Sequence, residues 1–161
     1  MQRFALFMAA LSTVLALGGA LAHAYELPNK IGLNREDYFV AQQLYQGWSN
    51  FAFIISIQMT TILACLIVFW RDRSLRGPFT AALLLLIAAQ VVFWALTYPA
   101  NEATQNWTTL PENWEALRRQ WEYSHLAGAG LQLGVFAAIA WALTGYVPRA
   151  AARPCDPADA P

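Results

Sequence analysis

Residues 4–22, 51–70, 79–98 and 126–147 form four apolar stretches, none with an Asp, Glu, Lys, Arg or His inside it. Each is close to the about 20 residues that a helix needs to cross about 30 Å of hydrocarbon. A bilayer offers no partner to an exposed backbone N–H or C=O, so stretches of this length must satisfy themselves as helices. The expected fold is therefore all-α: a four-helix transmembrane bundle of up-down-up-down topology, with helix one beside helix four.

At 58% hydrophobic and 12% charged residues, the chain reads as one membrane domain over residues 1–147. Residues 148–161, rich in Ala, Pro and Asp, read as a disordered cytoplasmic tail. A formal net charge of zero gives no ground for a nucleic-acid partner, and the partner implied is the lipid bilayer. Cys65 in the second stretch and Cys155 in the tail stand too far apart in this topology to pair.

Arg3, the trio Arg71, Arg73 and Arg76, and the pair Arg149 and Arg153 occupy three alternate ends of the helices. By the positive-inside rule these ends are cytoplasmic, so both termini are expected inside and the two long connections outside, in a bacterial inner membrane. A rival reading takes Arg3, the first stretch and Ala22-His23-Ala24 as a cleaved secretory signal, which would remove His23. The length of the stretch favours a retained helix.

The outer connections carry helix signals. Pro28 is expected to end helix one, and Asn34, followed by Glu36 and Asp37, to cap a helix bearing Tyr38, Leu44, Tyr45 and Trp48 that runs straight into helix two. Pro99 is expected to end helix three. Thr109 and Glu112 then form a capping box, with Pro111 in the first turn of a helix leading into helix four. Helices two and four thus acquire helical extensions on the outer side. Gly130 and Gly134, extended by Gly128, make a small-residue stripe on which a partner helix can seat.

Two constellations bear chemistry. His23 with Glu26, and Glu122 with His125, stand three apart and are the chain's only histidines, both at the outer ends of helices one and four. Glu-x-x-His on two helices is the pattern of carboxylate metal sites in bundles, with His23, Glu26, Glu122 and His125 as ligands of a metal ion. The preferred reading is plainer: no cofactor, and groups that cap helix ends and pair with Lys30, Arg118 or Arg119. A third reading is a metal-free acid/base pair, since a histidine titrating near pH 6.5 can move protons at neutral pH. Gln58, Gln90 and Gln132, one in each of helices two to four, lie about 12–15 Å deep and are expected to meet, either as hydrogen-bonding glue or as the polar floor of a pocket near Trp94, Thr97 and Trp121.

His23-Ala-Tyr-Glu-Leu-Pro-Asn-Lys30, Leu44-Tyr-Gln-Gly-Trp48, Tyr98-Pro-Ala-Asn101 and the segment from Trp114 to His125 together resemble the anthrone-oxygenase-like family of small four-helix membrane proteins. Most of that family has no assigned function. The named activity is oxidation of polycyclic anthrones by molecular oxygen without an added cofactor. Carried over by position, the resemblance points to His23, Asn101, Trp121 and His125, with His23, Asn101 and His125 as the catalytic candidates. Two functions follow: an uncharacterised integral membrane protein serving as an accessory or interaction subunit through Gly128, Gly130 and Gly134, or a membrane-embedded oxygenase or oxidoreductase acting on an apolar aromatic substrate. An intramembrane charge, the mark of a transport pathway, is missing from all four stretches.

Overall fold

The computed structural model describes residues 2–146; the tail expected at 148–161 and Cys155 lie outside them. Among the described residues every regular element is helical. In chain order these are α1 (Gln2–Lys30), α2 (Arg35–Gln42), α3 (Phe51–Val68), α4 (Arg73–Val92), α5 (Tyr98–Ala103) and α6 (Trp114–Thr144). Four continuous helical runs, Gln2–Lys30, Trp48–Val68, Arg73–Ala103 and Trp114–Thr144, are long and apolar enough to cross a membrane, as expected of an integral membrane protein. α1 packs on α3 and α6, and α4 packs on α3 and α6, which closes the ring with the first and last helices adjacent.

The prolines act differently from the sequence expectation. α1 passes through Pro28 and ends at Lys30. So near a terminus the missing N–H costs one bond, and the next turn still closes, with Ile31 N donating to Leu27 O at 2.9 Å. Pro99 does not end its helix either. The chain widens into a π-turn over Phe93–Thr97 and continues as α5. A π-turn directly before a proline relieves the clash between its ring and the carbonyl four residues earlier. One of the carbonyls in this turn, Leu96 O, accepts from Gln120 Nε2 on α6 at 2.7 Å.

Asn34 caps α2 as expected, its side chain accepting from Asp37 N at 2.9 Å. α2 is nevertheless separate from α3. Two single 3-10 turns, Gln43–Tyr45 and Trp48–Asn50, intervene around Gly47, whose φ of 83° only glycine adopts without strain. The residues expected to face the membrane from this segment divide: Tyr38 is fully buried and Leu44 exposed. The capping box is also absent. Asn113 precedes α6 without a side-chain cap, Thr109 Oγ1 donates to Thr104 O, and Pro111 lies before the helix. Of the two extensions expected, on helices two and four, only that of α6 is unbroken.

Apolar packing runs along the bundle from Leu6, Ile62 and Phe79 to Leu86, Val135 and Ile139. Where the helices bury polar groups, the groups find each other. Gln58 and Gln132 exchange amide hydrogen bonds at 2.9 and 3.2 Å, and Gln58 Nε2 also reaches Thr13 Oγ1 at 3.3 Å. Gln90 takes no part, because its position on α4 turns it to a lipid-side groove shared with Met59 and Trp94. Thr13 of α1 fills the place expected for it.

The glycines do not form one face. A Cβ on Gly134 would stand 3.1 Å from Leu85 Cδ1, so this residue serves the α4–α6 contact inside the bundle, whereas Gly128 and Gly130 have open space before them. Gly19 is the tightest: a Cβ there would run into the Phe51 ring, while its neighbour Gly18 faces nothing. Gly19→Val is therefore expected to lower stability in detergent by about 1–3 kcal/mol. Gly18→Val should change it by less than about 0.5 kcal/mol. Truncating Phe51 to Ala in the Gly19→Val background should return part of the loss, as read by thermal unfolding.

Candidate functional site

The two histidines meet. His23 of α1 and His125 of α6 stand with ring centroids 4.1 Å apart, inclined at 42°. Trp121, one turn before His125, stacks beside it at 4.0 Å, and Tyr45 and Trp48 from the corner after α2 close on His23 at 4.6 and 5.0 Å. Periodicity explains the α6 side, where residues 118, 121, 122 and 125 share a face. The α1 side follows because helix one continues to Lys30, which keeps His23 and Lys30, seven residues apart, on one stripe.

His125 Nδ1 lies 2.9 Å from Trp121 O. A carbonyl only accepts, so the ring proton of this contact belongs to Nδ1, and in neutral His125 the lone pair stands on Nε2. His23 is almost fully buried, and its Nδ1 makes no hydrogen bond. Asn101 does not face the histidines. Its Oδ1 accepts from Trp121 Nε1 at 2.8 Å, which fixes the indole that packs against both rings.

The glutamates follow another partner. Both converge on Lys30: Glu26 Oε2 lies 3.6 Å and Glu122 Oε1 3.2 Å from Nζ. Glu122 is fully buried, and Tyr38 of α2 donates to its Oε1 at 3.1 Å, with Gln42 Nε2 donating in turn to the Tyr38 hydroxyl. Burial and the charge of Glu122 push the Tyr38 hydroxyl far above the usual tyrosine range, so it serves as a neutral donor. Among the described residues no three His, Cys, Asp or Glu side chains are grouped to hold a metal ion; of the four candidate ligands the histidines pair with each other and the glutamates meet at Lys30. Arg118 is also buried, its guanidinium over the Tyr38 and Trp114 rings and its Nη1 donating to Leu33 O at 2.6 Å.

Sequence reading found His23, Trp121 and His125. It also named Lys30 as a partner of the acidic groups, which the structure bears out, but read Tyr38 and Tyr45 as membrane-facing and so missed them as members of the site. The seven-residue spacing that puts Lys30 on the His23 stripe was concealed by the break expected at Pro28. The loop after α5 also contributes. Gln105, Asn106 and Trp107 adopt left-handed backbone with φ of 50°, 55° and 61°, costly for residues with a side chain, and they deliver Trp107 to the Tyr38 and Trp121 rings. No protein-family model, curated protein or solved structure matches this chain.

Lys30→Met leaves the buried Glu122 carboxylate without its cation and is expected to cost about 3–5 kcal/mol. Adding Glu122→Gln should restore most of that loss, because the lone charge goes with it. Denaturant unfolding in detergent of the two single variants and the double variant measures the coupling directly.

Proposed function

We propose that the chain is a membrane enzyme of the anthrone-oxygenase-like kind, which uses the paired histidines to move a proton on an apolar aromatic substrate drawn from the bilayer. The observation that carries this reading is the 4.1 Å approach of His23 and His125 inside a wall of Trp121, Tyr45 and Trp48. Aromatic walls suit a flat ring by offset or edge contact. A base with its lone pair on Nε2 suits removal of a proton from a ring carbon next to a carbonyl. In the reaction named for the family, a ring CH2 and one O2 become a ring carbonyl and one water. Proton loss to His125 Nε2 creates the electron-rich ring from which oxygen takes electrons. Asn101 acts here by holding Trp121 rather than by touching substrate.

The arginine trio of the α3–α4 connection supports the orientation read from sequence, with that connection cytoplasmic and the histidines at the outer face of a bacterial inner membrane. The accessory-subunit reading keeps one favourable observation, the open faces of Gly128 and Gly130. Gly134 is withdrawn from it by Leu85. Leucine at both open positions should abolish co-purification of a partner if that reading holds, and unchanged co-purification removes it.

Oxygen uptake with anthrone in proteoliposomes, corrected for spontaneous oxidation, tests the main reading. His23→Ala/His125→Ala is expected to lose about 10²–10⁴-fold in rate, the usual worth of a positioned general base. Turnover at the wild-type rate in that double variant would sink the proposal.

A further inference from the structure

Lys30 Nζ stands 3.2 Å from Glu122 and 3.6 Å from Glu26 as ion pairs, and it donates to the hydroxyl oxygen of Tyr45 at 2.7 Å. The direction of this last bond is fixed, because an ammonium only donates. Tyr45 oxygen is therefore the acceptor, and its own hydrogen remains to be given. Among the described residues no hydrogen bond takes it up. The Tyr45 ring lies 4.6 Å from His23 and 5.5 Å from Trp121, so this donor belongs to the wall of the paired-histidine site. A hydroxyl whose oxygen accepts from a cation is a stronger donor than an isolated phenol, since each bond of such a chain polarises the next.

We propose that Tyr45, polarised by Lys30, is the oxyanion donor of the site, bonding to the ring oxygen of the aromatic substrate proposed above as its proton is removed. This rests on the paired-histidine reading. When a C–H or O–H proton of the ligand passes to His125 Nε2, the electron pair left behind spreads onto the ring oxygen. The Tyr45 hydrogen then bonds to that oxygen, and neither the Tyr45 O–H nor a Lys30 N–H bond is broken. Lys30 stays an ammonium held by Glu26 and Glu122, so the developing negative charge meets a donor backed by a fixed positive charge. The other buried cation, Arg118, gives Nη1 to Leu33 O and lies over the Tyr38 and Trp114 rings. Tyr45 is half-buried, and among these groups it carries the O–H that no other described residue takes up.

2-Naphthol is a suitable probe, because its neutral and ionised forms absorb at different wavelengths. The detergent-purified full chain should bind it, and the bound naphthol should ionise at lower pH than naphthol in protein-free micelles. In Tyr45→Phe, which keeps the ring, binding should persist while ionisation moves up by about one pH unit, a tenfold loss of preference for the anion. An unchanged midpoint in Tyr45→Phe with binding intact overturns the role of Tyr45 and leaves the histidine reading standing. Equal binding by the wild type and by His23→Ala/His125→Ala overturns the site itself, and Tyr45 with it. Should Tyr45→Phe fail to fold, the wild type alone decides: a bound midpoint at or above that in micelles overturns the proposal.

Discussion

A lysine ammonium 3.2 Å from a carboxylate with no exposed surface is expensive to assemble, and here it joins three separate elements. Lys30 ends α1, Glu122 sits two turns into α6, and Tyr38 brings α2 onto the same carboxylate. Taking these charges out of water returns energy only when the geometry is good and further donors are at hand. Tyr38 supplies one such donor to Glu122, and the Tyr45 hydroxyl gives Lys30 a further acceptor. The pair therefore specifies where α2 and the following corner must lie, and with them the aromatic wall around the histidines. Apolar packing further down the bundle holds the helices together but does not choose this arrangement over others of equal area.

The two prolines bear on the same point. Had α1 stopped before Pro28, Lys30 would leave the His23 stripe and Glu122 would be buried alone. Had the third span stopped at Tyr98, Asn101 would not meet Trp121 Nε1. Helix continuation through Pro28 needs only one lost bond near an end, and continuation through Pro99 needs the widened turn over Phe93–Thr97. Side chains of α6 consolidate that turn: Gln120 on Leu96 O, and Ser124 with Thr97 at 2.7 Å. Local backbone cost is offset by contacts from another helix, and sequence spacing alone does not show such contacts.

How much of the molecule was legible follows from these cases. The four spans and their order were readable because hydrocarbon admits no unpaired backbone and short connections make antiparallel neighbours. The Asn34 cap was readable because capping is a matter of one side chain and the next turn. Thr109 and Glu112 matched a local pattern too, yet Thr109 is drawn to Thr104 O by a loop whose shape is set by seating Trp107. Gln58 and Gln132 were expected to meet and do, while Gln90 faces the groove, because rotation of α4 about its axis is decided by packing on α3 and α6.

What the sequence by itself determined is the class of structure and the depth of its chemistry: four membrane-crossing helices with both histidines at the same end. Apolar length and the position of charges are properties of one segment in its solvent, so they can be read without a fold. Tertiary structure decided which groups touch. It set His23 against His125, chose Lys30 over Arg118 and Arg119 as the partner of Glu122, and left the Tyr45 hydroxyl hydrogen with no acceptor among the described residues. Those outcomes depend on helix rotation and on the corner between α2 and α3, where distant residues compete for the same buried charge, and no local pattern encodes which of them prevails.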